Sequence, residues 1–201
     1  MPTTTFFNLP EGKRHKLLSA ARAEFRRVPY EDASINQIIR GAEISRGSFY
    51  MYFEDKDDLF QYLLQEHFRQ ISAAMLRILE EERGNLFDAF LSAYDKIQSC
   101  LSDSREMPLT DLLAIMHMNA KLHPGLLMNV LDMAQVRTEL AARTDTSRLN
   151  LQREKDLEQI IQAPIQITAS ATMLCGCTAP PEQRRSDYIN LLSILRRGME
   201  R

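Results

Sequence analysis

Apolar residues along this chain recur at intervals of three and four, scarcely ever of two, and that spacing predicts helices almost throughout. A first helix is expected over about 10–27, with Leu17, Leu18, Ala21 and Phe25 on one stripe and Pro10 suited to an early helical position. The stretch from Val28 to Ala33, which contains Pro29, ends it. Ser34 is a good N-cap for a second, short helix whose Ile35, Ile38, Ile39 and Ala42 fall at i, i+3, i+4 and i+7. So short a helix has little stability alone and must pack on its neighbours. After a turn at Glu43 and Ile44 come a third helix, from Ser45 to Phe53, and a long fourth one from about Lys56 towards Ile78. Asp55 is placed to cap the fourth helix, and Asp57 and Asp58 lie in its first turn, where the helix dipole favours acids.

Beyond Gly84 the pattern predicts amphipathic helices at roughly 86–102, 109–121, 125–143, 147–163, 165–177 and 183–199. Breaks are expected at Pro108, around Pro124 and Gly125, at residues 144–146, at Pro164 and at Pro180 with Pro181. The fold class that follows is all-α. A small N-terminal domain of about residues 1–55 joins, through the long fourth helix, a larger helical domain of 56–201.

Charge sharpens the division. Residues 1–53 hold eight Lys or Arg against five Asp or Glu, whereas the other 148 residues hold 17 against 22, so a basic head precedes an acidic body. The overall charge of −2 therefore conceals a region suited to phosphates. No run approaches the roughly 18 apolar residues of a spanning helix and no secretory signal opens the chain, so a cytoplasmic location without membrane insertion is expected. Three cysteines, two of them the close pair Cys175 and Cys177, do not form a disulfide framework and fit a reducing compartment.

The third helix carries the most specific chemistry. Phe49 and Phe53 are four apart and share a face, which predicts that they hold the helix against the second one. The opposite face offers Arg46, Gly47 and Tyr50, with Ser48 and Tyr52 beside them, as a recognition helix in a DNA major groove requires. Arg46 suits a guanine edge, Gly47 allows close backbone approach, and Ser48 suits a base or a phosphate; the Tyr50 hydroxyl is at phosphate reach. Lys56, at the start of the next helix, is expected to meet phosphate beside that helix's positive end.

The string LLSAARAEFRRVPYEDASINQIIRGAEISRGSFYMYFEDKDDLF resembles the N-terminal domain of tetracycline-repressor family regulators. Its alanine-rich first helix ends in Phe, a Ser-capped second helix follows, and then a Ser-x-Gly-x-aromatic-Tyr recognition helix leads to Phe and to Lys among acids. The likeness covers about residues 13–62. It implies a homodimer, formed through the C-terminal helices, that binds a near-palindromic double-stranded operator; the methionine-rich body suits a small, hydrophobic effector that would release it. Repression is the family default. Carried over by position, Arg46, Gly47, Ser48 and Tyr52 are candidates for base-edge contacts. Ser34, Asn36, Tyr50 and Lys56 are candidates for phosphate positioning, with Asn36 also in reach of a base. Three positions depart from the family: Glu43 stands where Gly is usual in the turn, Pro29 replaces a frequent Gly, and Tyr52 replaces a common His.

The body is read from its residues alone. Met107, Met116, Met118, Met128 and Met133 cluster between 107 and 133, after Phe87, Phe90 and Tyr94. Methionine adapts to irregular apolar space, whether in a core or around a ligand. Phe90, Tyr94, Met116, His117 and Met118 are the candidate effector contacts. The last segment, with Leu191, Leu192, Ile194 and Leu195, is apolar over a wide arc, which fits either a dimer interface shared with 165–177 or burial within one subunit. No cofactor, metal site or catalytic motif is expected, and no enzyme activity. The alternatives are a thiol-redox-responsive regulator using Cys175 and Cys177, and a helical metal-binding protein; the spacing of these cysteines is too close for ordinary zinc coordination.

Overall fold

The computed structural model describes residues 1–102, 108–119, 133–173 and 180–201. Among them the elements are α1 (Thr4–Phe7), α2 (Glu11–Arg27), a 3-10 turn (Tyr30–Asp32), α3 (Ile35–Ala42), α4 (Arg46–Tyr52), α5 (Lys56–Glu81), α6 (Leu86–Ser102), α7 (Pro108–Met118), α8 (Met133–Arg143), a 3-10 turn (Thr146–Arg148), α9 (Asp156–Met173) and α10 (Pro181–Met199). The all-α expectation holds, with the one isolated antiparallel bridge among the described residues pairing Leu149 with Glu200. The chain forms two compact units, one of residues 1–70 and 106–131 and the other of 71–105 and 132–201, with the division falling inside α5.

In the first unit, the stripes predicted on α2, α3 and α4 converge. Leu17, Ala21, Phe25, Ile38, Phe49 and Phe53 are all fully buried, joined by Leu59, Phe60 and Leu63 from α5. Each of these leucine, isoleucine and phenylalanine side chains contributes about 1.5–3 kcal/mol by leaving water, which offsets the helices' marginal intrinsic stability. Phe25 meets Phe60 edge-on at 4.8 Å between ring centres. At the crossing of α2 and α3, a side chain on Gly41 would stand 3.1 Å from the Ala20 methyl, so glycine sets how closely these helices approach.

The turn between α3 and α4 contains Glu43 in the left-handed region (φ 53°, ψ 44°). Glu43 N–H donates to the Arg40 carbonyl and Ile44 N–H to the Ile39 carbonyl, closing α3 as glycine would. The departure from Gly thus leaves the turn's conformation intact, and the Glu43 carboxylate pairs with Lys16 of α2 at 2.5 Å. Hydrogen bonding to Lys16, and the charge of its ammonium, hold the Glu43 carboxyl below its ordinary value.

A short helix absent from the sequence reading, α1, closes the other end of this unit. Phe6 is fully buried and packs on Phe53 at 4.8 Å and on Tyr62 at 5.1 Å. Four residues without helical period give no amphipathic signal, so only tertiary packing reveals them.

In the second unit Leu79, Phe87, Phe90, Tyr94, Leu140, Ile161, Tyr188 and Leu192 form one core. Tyr188 stacks on Tyr94 with ring centres 4.0 Å apart, its hydroxyl donates to the Phe90 carbonyl at 3.1 Å, and burial pushes its phenol up to about 12. Two expectations are overturned: the helix expected over 147–163 begins only at Asp156, after a 3-10 turn and an irregular stretch, and Pro164 does not separate two helices but lies inside α9. Pro164 is buried there, and its own carbonyl accepts the Thr168 hydroxyl at 2.7 Å.

Candidate nucleic-acid interface

The interface is built on α4, whose ends are fixed from outside it. At the N-terminus Ser45 Oγ accepts the Ser48 N–H at 3.0 Å, the capping bond that orients the first turn. The two hydroxyls, Ser45 and Ser48, lie 2.8 Å apart. At the C-terminus Thr3 N–H donates to the Tyr52 carbonyl at 3.0 Å and Thr3 Oγ1 to the Met51 carbonyl at 2.6 Å. Two of the carbonyls that a helix end leaves unpaired are thereby satisfied.

Between these clamps, Phe49 is buried while Arg46, Gly47, Tyr50 and Met51 are exposed. Arg46 Nη1 donates to Asn36 Oδ1 at 2.9 Å, its Nη2 donates to the Tyr50 hydroxyl at 3.3 Å, and its guanidinium lies 5.7 Å from the Tyr50 ring centre. Three of the sequence candidates, Asn36, Arg46 and Tyr50, are thus one connected group spanning α3 and α4. A planar guanidinium held in this way has less freedom to lose on meeting a base edge. Nothing crowds Gly47, where a Cβ would stand 3.8 Å from Ser45 Oγ.

The remaining DNA candidates with side chains, Ser34, Ser48, Tyr52 and Lys56, are half-buried. Ser48 is engaged with Ser45. Ser34 occupies the N-cap of α3, but its hydroxyl makes no capping bond there; its N–H donates to Glu24 Oε1 at 2.9 Å. Buried Glu24 also accepts from Arg27 at 2.8 Å. Lys56 Nζ donates to the carbonyls of Tyr30 at 2.6 Å, Ala33 at 3.1 Å and Glu31 at 3.2 Å, and stands 4.5 Å from the Tyr30 ring centre. All three ammonium donors therefore hold the turn before α3. Asp55 caps α5 as expected, its Oδ1 accepting from Asp58 N–H at 2.8 Å.

The candidate effector residues divide between the units. Phe90 and Tyr94 are buried in the second unit's core. Met116 is half-buried, and His117 and Met118 are exposed, on α7 of the first unit. Met107, Met128, Cys175 and Cys177 lie outside the described residues. Among the described residues no group of three or more His, Cys, Asp or Glu is placed to hold a metal ion, and no helix is long and apolar enough to cross a membrane.

Sequence reasoning missed four residues in this unit. Asp111 is buried on α7 and accepts from Arg26 at 2.7 Å, with Arg22 at 3.8 Å. Asn119, just after α7, accepts the Tyr30 N–H at 2.5 Å. His67 on α5 is buried with neither ring nitrogen hydrogen-bonded, and burial holds its imidazole below the ordinary value. Met51 is the fourth. The first three depend on partners remote in sequence, whereas Met51 was legible from its helical position two residues past Phe49.

Residues 17–63 match the family model described as bacterial regulatory proteins, tetR family. The HTH-type transcriptional regulator HbdR of Aromatoleum sp. (strain CIB) is 45% identical over 51 residues, which are 25% of this chain and 22% of HbdR. The uncharacterized HTH-type transcriptional regulator YdgC of Bacillus subtilis (strain 168) is 27% identical over 97 residues, 47% of this chain and 50% of YdgC. The aligned regions thus span half or less of these relatives. A crystal structure of a TetR family regulator from Chloroflexus aurantiacus J-10-FL shares the fold at a TM-score of 0.55 and 24% identity, over 100% of this chain and 99% of that one.

Proposed function

We propose that this chain, whose residues 17–63 match the tetR family of bacterial regulatory proteins, is a cytoplasmic transcriptional regulator, without enzyme activity, that binds operator DNA as a homodimer and is released by a small effector. The supporting observation is the exposed group of Arg46 and Tyr50, on a helix clamped at both ends, with Asn36 of α3 bonded to Arg46. Arg46 reads a guanine edge from this position, with Gly47 allowing the backbone close to the groove. Asn36 and Tyr50 position the helix on phosphate or base, and Ser34, Ser48 and Tyr52 flank them. Lys56 acts on phosphate chiefly through its field, since its donors are directed to carbonyls, and it holds the α3 N-terminus in place.

Dimerisation is assigned to α9 and α10. Leu191 and Ile194 of α10 are exposed by 49% and 57% and stand three residues apart on one face, which a partner copy would cover. Two heads on successive major grooves, about 34–36 Å apart, gain affinity by linkage. Residues 1–55 serve as the DNA-binding part and 56–201 as the effector and dimerisation part. Met116, His117 and Met118 offer adaptable apolar and polar contact to an effector, with Phe90 and Tyr94 as further candidates. An effector that prefers a different packing of these helices weakens operator binding by its differential affinity for the two states, and repression is the default outcome.

Selection of bound duplexes from random-sequence DNA by the full chain tests the reading. A near-palindromic consensus is expected, bound by a dimer in sedimentation. Absence of any enriched sequence removes the DNA-binding reading, and an enriched asymmetric site bound by a monomer removes the dimer.

A further inference from the structure

We propose that Met51 is a specificity-determining residue that reads the 5-methyl group of a thymine in the major groove; this rests on the DNA-binding reading above. Met51 is 59% exposed, although it is a large apolar residue in the last turn of a helix packed in this unit. Core packing does not explain it, because Phe49 and Phe53 on the same segment are both fully buried and already supply the inward face. Its direction is settled by helix geometry: Met51 lies one turn after Gly47 and beside Tyr50, on the outward surface that also carries Arg46. Gly47 presents no side chain, so the helix can sit deep there, and the next residue along that stripe is the thioether.

The last turn is also held still. Thr3 Oγ1 donates to Met51's own carbonyl at 2.6 Å, fixing the backbone from which the side chain projects. An apolar side chain presented to a major groove has one apolar feature to meet, the thymine methyl, which distinguishes thymine from every other unmodified base on that edge. The flanking guanidinium of Arg46 supplies the polar half of the readout. The combination predicts a half-site in which a guanine read by Arg46 lies within a few base pairs of a thymine read by Met51.

The test uses duplexes recovered by selection from random-sequence DNA and the full-length chain. Each thymine of the half-site is replaced in turn by deoxyuridine, which removes only the methyl, and affinity is measured for the unaltered chain, Met51→Ala and Met51→Leu. One thymine per half-site is expected to cost the unaltered chain about fourfold on demethylation, the worth of one buried methyl. Met51→Ala should lose that sensitivity, and Met51→Leu should keep it, with all three melting alike. The proposal is overturned if no thymine is sensitive, or if Met51→Ala stays as sensitive as the unaltered chain. Failure to recover any DNA would instead overturn the DNA-binding reading itself, and is visible before any variant is made.

Discussion

Asn119 Oδ1 accepts the Tyr30 N–H at 2.5 Å, and the carbonyl of the same Tyr30 accepts the Lys56 ammonium at 2.6 Å. One residue of the turn between α2 and α3 is therefore held from α7's end and from α5's start, through its two backbone polar groups. The position of the α3 N-terminus depends on both bonds, since Ala33 also accepts from Lys56 and Ser34 donates to Glu24.

Lys56→Ala should accordingly destabilise the first unit by about 2 kcal/mol, the range of hydrogen bonds from a charged donor, in urea unfolding followed by helical signal. The sequence alone suggests that alanine here would leave folding intact and remove only DNA binding. The three carbonyl contacts argue otherwise; unchanged stability with a shallower salt dependence of DNA binding would show that the ammonium serves phosphate alone.

Arg46→Ala is expected to weaken binding to the selected operator by about 10–100-fold, the worth of one bidentate base contact, and to relax preference at a single base pair. Its exposed position predicts a stability change within about 0.5 kcal/mol. A uniform loss across all sequences would reassign Arg46 to phosphate.

His67 predicts a pH dependence of stability. Burial lowers its folded value below the unfolded 6.5; Asp111 and Glu66 oppose this shift and Arg22 adds to it. The unfolded chain therefore binds more protons at and below pH 6.5, so this contribution is fully present above that value and falls away as the pH drops towards the folded one. His67→Leu should flatten the fall in stability as the pH drops below about 6.5 in parallel urea titrations. An unchanged slope would place the acid sensitivity elsewhere.

Gly41→Val should cost about 1–3 kcal/mol, because added carbons meet Ala20, whose methyl already lies 3.1 Å from where a Cβ would stand. Pairing it with Ala20→Gly should recover much of the loss, a coupling readable as non-additivity in a double-mutant cycle.

The helices that frame the interface were legible because their burial is periodic: Leu17, Ala21 and Phe25 on α2, Ile38 and Ala42 on α3, and Phe49 on α4 are all buried where the spacing puts them. What escaped was set by partners far along the chain. Nothing in the local sequence tells that Lys56 reaches carbonyls 23 to 26 residues earlier, or that Asp111 meets Arg26 across 85 residues. The local sequence marks Pro164 as a break because its missing donor is a local fact, whereas its burial inside α9 is not. Met51 was passed over for a different reason: an apolar type suggests the core, and only its place relative to the two buried phenylalanines contradicts that.

The seven residues of α4 are too few to hold a helix by themselves, and Thr3 and Phe6 secure one end of it from a segment that bears none of the reading side chains. Replacement at either position would tilt or loosen the reading surface while leaving every one of its side chains unaltered. Binding preference in such a protein can then drift through substitutions that never touch DNA, and two chains with identical α4 sequences need not select the same site.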